Sequence, residues 1–194
     1  MWLIVGLGNP GSRYEQTPHN LGFMAARCFA ARHGIRLGAD SKWKAEVGRG
    51  TIGGEEVAVM LPLTYMNLSG ESVGPYSRYF KIHPAHVLAV SDDVAIPWGK
   101  LRIRTAGSHG GHNGLRSLID HLGGDAFPRL RIGCEPENWR GELKDYVLAI
   151  LKGDALKLAE HMAEICADAT ETIVKSGTAK AQNQFNGYDA KSQG

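Results

Sequence analysis

Residues 3 to 7 read Leu-Ile-Val-Gly-Leu, a short and almost wholly apolar run. Such a run suits a strand buried on both faces, which in turn requires a sheet with helices packed on each side. It breaks at Gly8-Asn9-Pro10-Gly11, four strong turn formers in succession. A helical pattern begins only at His19, ten residues after Asn9. Thr17 suits the cap of that helix and Pro18 its first position. The chain thus leaves a buried strand, crosses a polar loop and delivers a histidine to a helix start. Asn9 and His19 are expected to share one site.

The remaining elements alternate. Leu21, Met24, Cys28 and Ala31 carry the first helix, which ends near His33-Gly34. Residues 35 to 44 read as an irregular, basic, exposed connection. Strands over Glu46 to Ile52 and Glu56 to Pro62 meet at Gly53-Gly54, a hairpin signal. A helix to about Phe80 follows Leu63 to Gly70, and Val87 to Val90 is a buried strand ending in Ser91-Asp92-Asp93. A basic strand spans Lys100 to Thr105. After the glycine-rich stretch Ala106 to Gly114 comes a helix from about Leu115 to Leu122, closed by Gly123-Gly124. Arg129 to Gly133 is a further strand, residues 135 to 142 a polar loop, and Leu143 to Leu151 a short helix. Asp154 caps a long helix with Leu158, Met162, Ile165, Ala169 and Ile173 on one face. The tail from Thr178 is polar and is expected to fray. This order predicts an α/β fold: one domain over residues 1–194, a three-layer α/β/α sandwich on a mixed, twisted central sheet.

Composition narrows the class. In 194 residues, 43% are hydrophobic and 22% charged, as in soluble globular proteins. No apolar run approaches the roughly 20 residues of a membrane span, and the apolar start lacks the basic region of a signal peptide. Cys28, Cys134 and Cys166 are isolated and odd in number, which points to small buried hydrophobes in a reducing cytoplasm rather than to a disulfide framework. A net charge of +2 does not announce nucleic acid. Its distribution is more telling. Lys100, Arg102 and Arg104 alternate with Leu101 and Ile103, and Arg129 and Arg131 flank Leu130. Two such strand faces side by side make either a phosphate site or a solvated surface.

Gly6-Leu-Gly8-Asn-Pro-Gly11 matches the G-x-G-x-x-G pattern of dinucleotide binding. That fold needs a helix to begin inside the glycine loop and an acid some twenty residues on. Here Ser12 to Thr17 intervene and the acid is missing, so the nicotinamide reading is discounted. Other candidates converge. Asn9, Asn67, Asp92, His112 and Asn113 all lie where a strand gives way to a loop, the usual place for a site in an open α/β sheet. Singly, each has a bland explanation as a turn, cap or surface residue.

Together these segments resemble the bacterial peptidyl-tRNA hydrolase family. The resemblance runs through Leu3 to Gly22, Thr64-Tyr-Met-Asn-Leu-Ser-Gly70, Asp92 to Arg104, Gly110-Gly-His-Asn-Gly-Leu115 and Arg129-Leu-Arg-Ile-Gly133. It implies an esterase that cleaves a peptide from the 3′ ribose of tRNA, without metal or cofactor, as a cytoplasmic monomer with no membrane partner. It implies His19 as general base oriented by Asp92, with Asn9 contacting the peptide. The dipole at a helix start also favours the neutral ring that a base requires. Asn67 and Asn113 would hold the peptide backbone, the 3′ end and the attacking water. Tyr14 and Tyr65 match contacts to the tRNA end, Met66 and His112 line the site, and Arg104 and Arg131 match a clamp for the 5′-phosphate. Glu135 and Glu137 place extra acid near that clamp, and Pro18 departs from a commonly basic position. The alternative is an RNA-binding module of the same fold without hydrolysis, for which a retained His19–Asp92 pair has no use.

Overall fold

Strand β1 (Trp2–Gly6) is buried at every residue, as its apolar sequence requires. In the computed structural model, which describes residues 1–192, it lies at the middle of a seven-stranded sheet. The other elements are α1 (Leu21–Arg32), β2 (Gly38–Asp40), β3 (Ala45–Ile52), β4 (Glu55–Pro62), α2 (Gly70–Tyr79), β5 (Val87–Asp93), β6 (Leu101–Arg104), α3 (Asn113–Leu122), β7 (Arg129–Gly133), α4 (Leu143–Tyr146), α5 (Asp154–Ser176) and α6 (Thr178–Phe185). The strand order is β2-β3-β4-β1-β5-β7-β6. The four central strands run parallel, and β2, β3 and β6 are antiparallel to their neighbours. The sheet is therefore mixed.

Strand periodicity sorts side chains into two cores. Ile4, Val59 and Leu88 pack with Phe29 of α1 and Met162 and Ile173 of α5. Leu3, Val5, Met60 and Ala89 pack on the opposite face with Tyr76 of α2 and Leu115 and Leu118 of α3. The second layer does not extend to the β7-β6 edge. There Leu101, Ile103, Leu130 and Ile132 serve the first core, and their alternates on the other face are Arg102, Arg104, Arg129 and Arg131.

Several sequence expectations change. Residues 35 to 44 are largely exposed, as expected, but not wholly irregular: β2 pairs with β3, Ile35 and Trp43 are buried, and Lys42 lies over the Trp43 ring. Helix α1 starts at Leu21, because residues Pro18–Asn20 form a 3-10 turn, and the Thr17 hydroxyl donates to the Tyr14 carbonyl rather than capping. Gly153, not Asp154, is the N-cap of α5. The tail does not fray at Thr178. Ala181 is fully buried, and Asn186 accepts from the Ile103 N–H at 2.7 Å and donates back to the Ile103 carbonyl at 3.3 Å. An edge strand carries unpaired backbone groups, and the polar tail supplies their partners. That is a use of polar residues that composition does not reveal.

The short helix expected over 143–151 closes after Tyr146. The following segment is tied to the histidine loop by two backbone hydrogen bonds, His19 N–H to Val147 O at 2.9 Å and Leu151 N–H to Gln16 O at 2.7 Å.

Helix α1 sits unusually close to the sheet at Gly22. A methyl group there would lie 2.2 Å from the Val90 carbonyl oxygen and 2.5 Å from that of Leu7. Both are backbone atoms, one within β5 and one just past β1, and cannot step aside. Gly22→Ala is expected to cost about 3 kcal/mol or to prevent folding altogether, read from the urea midpoint of the purified variant. A midpoint within experimental error of wild type would show that α1 moves outward freely.

Candidate active site

Asn9 follows β1, Asn67 follows β4, Asp92 and Asp93 end β5, and Arg131 lies in β7. The carboxyl ends of the parallel strands thus converge on one cavity of about 590 Å³. Its lining includes Asn9, His19, Tyr65, Met66, Asn67, Asp92, His112, Asn113 and Arg131 from the expected set. Tyr14 and Arg104 do not line it. Tyr14 lies under the Arg13 guanidinium, 4.5 Å from ring centroid to carbon, and Arg104 is exposed on its strand.

At the floor, His19 Nδ1 lies 3.0 and 3.1 Å from the two Asp92 carboxylate oxygens. His112 Nε2 lies 2.9 Å from Asp92 Oδ1. An ionised carboxylate only accepts, so each facing nitrogen carries a hydrogen. For His112 a second contact fixes the tautomer independently: its Nδ1 accepts from the Leu115 N–H at 3.3 Å, capping α3. For His19 the consequence is that Nε2 is left as the ring's accepting nitrogen. Asp92 is 3% exposed. Burial disfavours its charge, but His112 and then His19, through charge and hydrogen bonds, hold its carboxyl well below the usual carboxylate range.

The three side chains offer ligand atoms within 4.8 Å of one another. A metal on His112 Nε2 would need Nδ1 to carry the proton and donate it outward. That nitrogen instead faces a backbone N–H. The arrangement suits proton exchange better than ion binding.

The helix dipole is not the main influence on His19. The residue sits in a 3-10 turn, and its N–H is bonded to Val147. Orientation comes from Asp92 on the ring and Val147 on the backbone.

Asn9 is set by a residue that sequence reasoning missed. Asn20, 1% exposed, accepts from the Asn9 N–H at 2.8 Å and donates to the Asn9 carbonyl at 2.9 Å. One amide side chain thereby replaces a strand partner. Asn9 Oδ1 accepts from the Met66 N–H at 2.8 Å, which leaves its Nδ2 hydrogens for the cavity. The same bond holds the 63–70 loop, where Tyr65 adopts φ 63°, a conformation that side chains rarely take. Gly114 makes room for the loop: a Cβ there would lie 2.5 Å from the Met66 sulfur. The amides of Asn67 and Asn113 make no hydrogen bond among the described residues and are exposed at the cavity. The opposite wall, from Leu143, Val147 and Leu148, was also missed, since a short amphipathic stretch carries no sign of which cavity it faces.

The arginines of β6 and β7 do not act alike. Arg131 reaches the cavity. Arg129 is 1% exposed, and its guanidinium donates to the carbonyls of Gly107, Ser108, Asp125 and Phe127. It anchors the loop that carries His112 and is not free to bind phosphate. Glu137 pairs with Lys191 at 2.7 Å, so its charge is already engaged.

A family model described as peptidyl-tRNA hydrolase matches residues 3–193. The chain belongs to the peptidyl-tRNA hydrolase family. It is 43% identical over 190 residues to the peptidyl-tRNA hydrolase of Clostridium novyi (strain NT), covering 98% of this chain and 100% of that one. To the protein of that name from Bacillus cereus (strain Q1) it is 45% identical over 186 residues, covering 96% and 100%. A crystal structure of peptidyl-tRNA hydrolase from Acinetobacter baumannii superposes with a TM-score of 0.92 at 39% identity, covering 98% of this chain and 96% of that one. The α/β fold and the family resemblance read from the sequence both stand.

Two outcomes follow from the buried polar network. Asn20→Ala strips partners from two buried backbone groups, and is expected to cost about 2 kcal/mol in urea unfolding and to lower turnover through a misplaced Asn9. Unchanged stability and turnover would show that Asn9 holds itself. Asp92, with its folded pKa depressed, contributes stability that is fully present above the unfolded value of about 4 and is lost as pH falls towards the folded one. The gap in urea midpoint between wild type and Asp92→Asn should therefore narrow as pH drops from about 7 to about 3. A constant gap would mean that the carboxylate's charge does not matter to the fold.

Proposed function

We propose that the chain hydrolyses the ester between a peptide and the 3′ ribose of tRNA, with His19 as general base. The observation that carries this is the His19–Asp92 pair at the cavity floor, with Nδ1 committed to the carboxylate and Nε2 available. In this reading Nε2 takes a proton from water as the oxygen attacks the ester carbonyl. Asp92 stabilises the imidazolium that forms. The Nδ2 hydrogens of Asn9 face the developing oxyanion. When the tetrahedral intermediate collapses, the imidazolium returns the proton to the departing ribose oxygen. Asn67 and Asn113, exposed at the cavity with unspent amides, orient the water and the 3′ end.

A requirement for a blocked amino group also has support. A free ammonium entering the cavity would need a carboxylate partner or pay in desolvation. Both acids of the wall are already engaged, Asp92 by two imidazoles and Asp93 by Arg131. The facing wall offers a peptide the apolar side chains of Leu143, Val147 and Leu148, and its one charged residue, Lys144, would repel an ammonium.

Arg131 at the cavity edge, with Arg104 further out on β6, is the candidate for the 5′-phosphate, and Tyr14 and Tyr65 for the tRNA end. Among the described residues no helix is long and apolar enough to cross a membrane. The thiols of Cys28, Cys134 and Cys166 are free, which fits a reducing cytoplasm. The protein is read as a monomer that acts as one catalytic domain.

The test is single-turnover and steady-state hydrolysis of N-acetyl-aminoacyl-tRNA. His19→Ala is expected to lose about 10²–10⁴-fold in kcat, the range for a general base, with KM little changed. Equal rates for variant and wild type would remove His19 from the chemistry and favour a binding role for the fold.

A further inference from the structure

Arg131 has a partner that the clamp reading does not require. Its Nε lies 2.8 Å from Asp93 Oδ2, an ion pair by distance whose N–H is not directed at the carboxylate as a hydrogen bond. Asp93 is itself fixed. Its Oδ1 accepts from the Ala95 N–H at 2.9 Å, and its main chain is held by Cys134 N–H donating to its carbonyl at 3.0 Å. The Asp93 side chain is 7% exposed and that of Arg131 25%.

The surroundings explain why such a hold matters. Arg102 stands directly opposite Arg131 in the β6-β7 ladder, and Arg129 follows two residues before it on the same face. Like charges at such positions repel. A flexible guanidinium between them would swing toward solvent. On the other side Gly110, at φ +55°, lets Nη2 pass so closely that a Cβ there would sit 2.9 Å from it. The guanidinium is thus confined between the Asp93 charge and the 107–112 loop, at the edge of the cavity.

We propose that Asp93 is a positioning residue: it occupies the Nε edge of Arg131 and turns the Nη1/Nη2 fork outward to receive a phosphate of the tRNA. An arginine fork binds phosphate through two parallel N–H groups only when aimed. This rests on the assignment of Arg131 to the 5′-phosphate. It makes Asp93 favour binding of an anion although its own charge opposes one. The two effects have opposite signs, so an experiment separates them.

The measurement is kcat and KM for N-acetyl-aminoacyl-tRNA bearing a 5′-phosphate and for the same substrate after phosphatase treatment, with wild type, Asp93→Asn, Arg131→Ala and the double variant. Asparagine keeps the Ala95 contact and loses the charge. For wild type, removal of the phosphate is expected to raise KM about tenfold, the value of one charge-assisted contact. Asp93→Asn should raise KM for the phosphorylated substrate and bring the ratio of the two KM values close to one. Its kcat should stay within about twofold with an unshifted pH profile, since neither histidine touches Asp93. The double variant should be no worse than Arg131→Ala. A lower KM in Asp93→Asn with the ratio preserved would overturn the proposal, because the carboxylate would then only offset charge. So would additive losses in the double variant. If Arg131→Ala itself leaves the ratio unchanged, the phosphate assignment fails and the positioning role with it. Retained phosphate discrimination in Asp93→Asn alone removes only Asp93.

Discussion

One buried carboxylate accepts from two imidazoles, and the rest of the site is arranged so that it can. Asp92 is at the end of the central strand β5, almost without solvent, where an unpaired charge would cost several kcal/mol. Its two partners come from opposite directions: His19 from the turn before α1, and His112 from the cap of α3. Each is held by a second contact of its own, a backbone bond to Val147 for one and to Leu115 for the other. The histidine loop, the α3 start and the 147–151 segment are thereby tied to one atom group. The tautomer that leaves His19 Nε2 able to accept a proton is a consequence of this satisfaction. Structural and chemical demands on Asp92 are the same demand.

A second device recurs at both ends of the fold. Asn20 bonds the N–H and C=O of Asn9, and Asn186 bonds the N–H and C=O of Ile103. In each case an amide side chain takes the place of a neighbouring strand where the sheet has run out. The first instance stiffens the loop that presents Asn9. The second closes the β6 edge and leaves its outward face to arginines.

These devices also explain what could be read from the chain. The continuous apolar runs of β1, β4 and β5, the hairpin at Gly53-Gly54 and the αL glycine after Leu122 act locally, so the order of elements was legible. The residues that combine side chains across strand ends, Asn9, His19, Asp92 and His112, were legible through the family resemblance and their placement after strands. Asn20 was not, because its value lies in a partner eleven residues back, and an asparagine at a helix start already has an ordinary explanation. The tail failed for a related reason. Its polar residues looked like solvent-exposed chain, while Asn186 and Gln182 were satisfying an edge strand.

The arginine face shows the limit most clearly. Arg102, Arg104, Arg129 and Arg131 are equivalent in an alternating sequence pattern, yet their roles diverge with the third layer. Where the loops before α3 and before β7 fold over the sheet, Arg129 is swallowed and spends its donors on four carbonyls. One step along, Arg131 meets Asp93 and keeps part of its fork. Past the cover, Arg102 and Arg104 form no ion pair among the described residues and stay exposed. Depth beneath the covering loops, set by residues far away in sequence, grades the same side chain from anchor to ion-paired to open charge. On the proposed reading, a polyanion approaching from solvent would meet the exposed cations first and Arg131 at the cavity, the order in which long-range attraction and short-range fit operate.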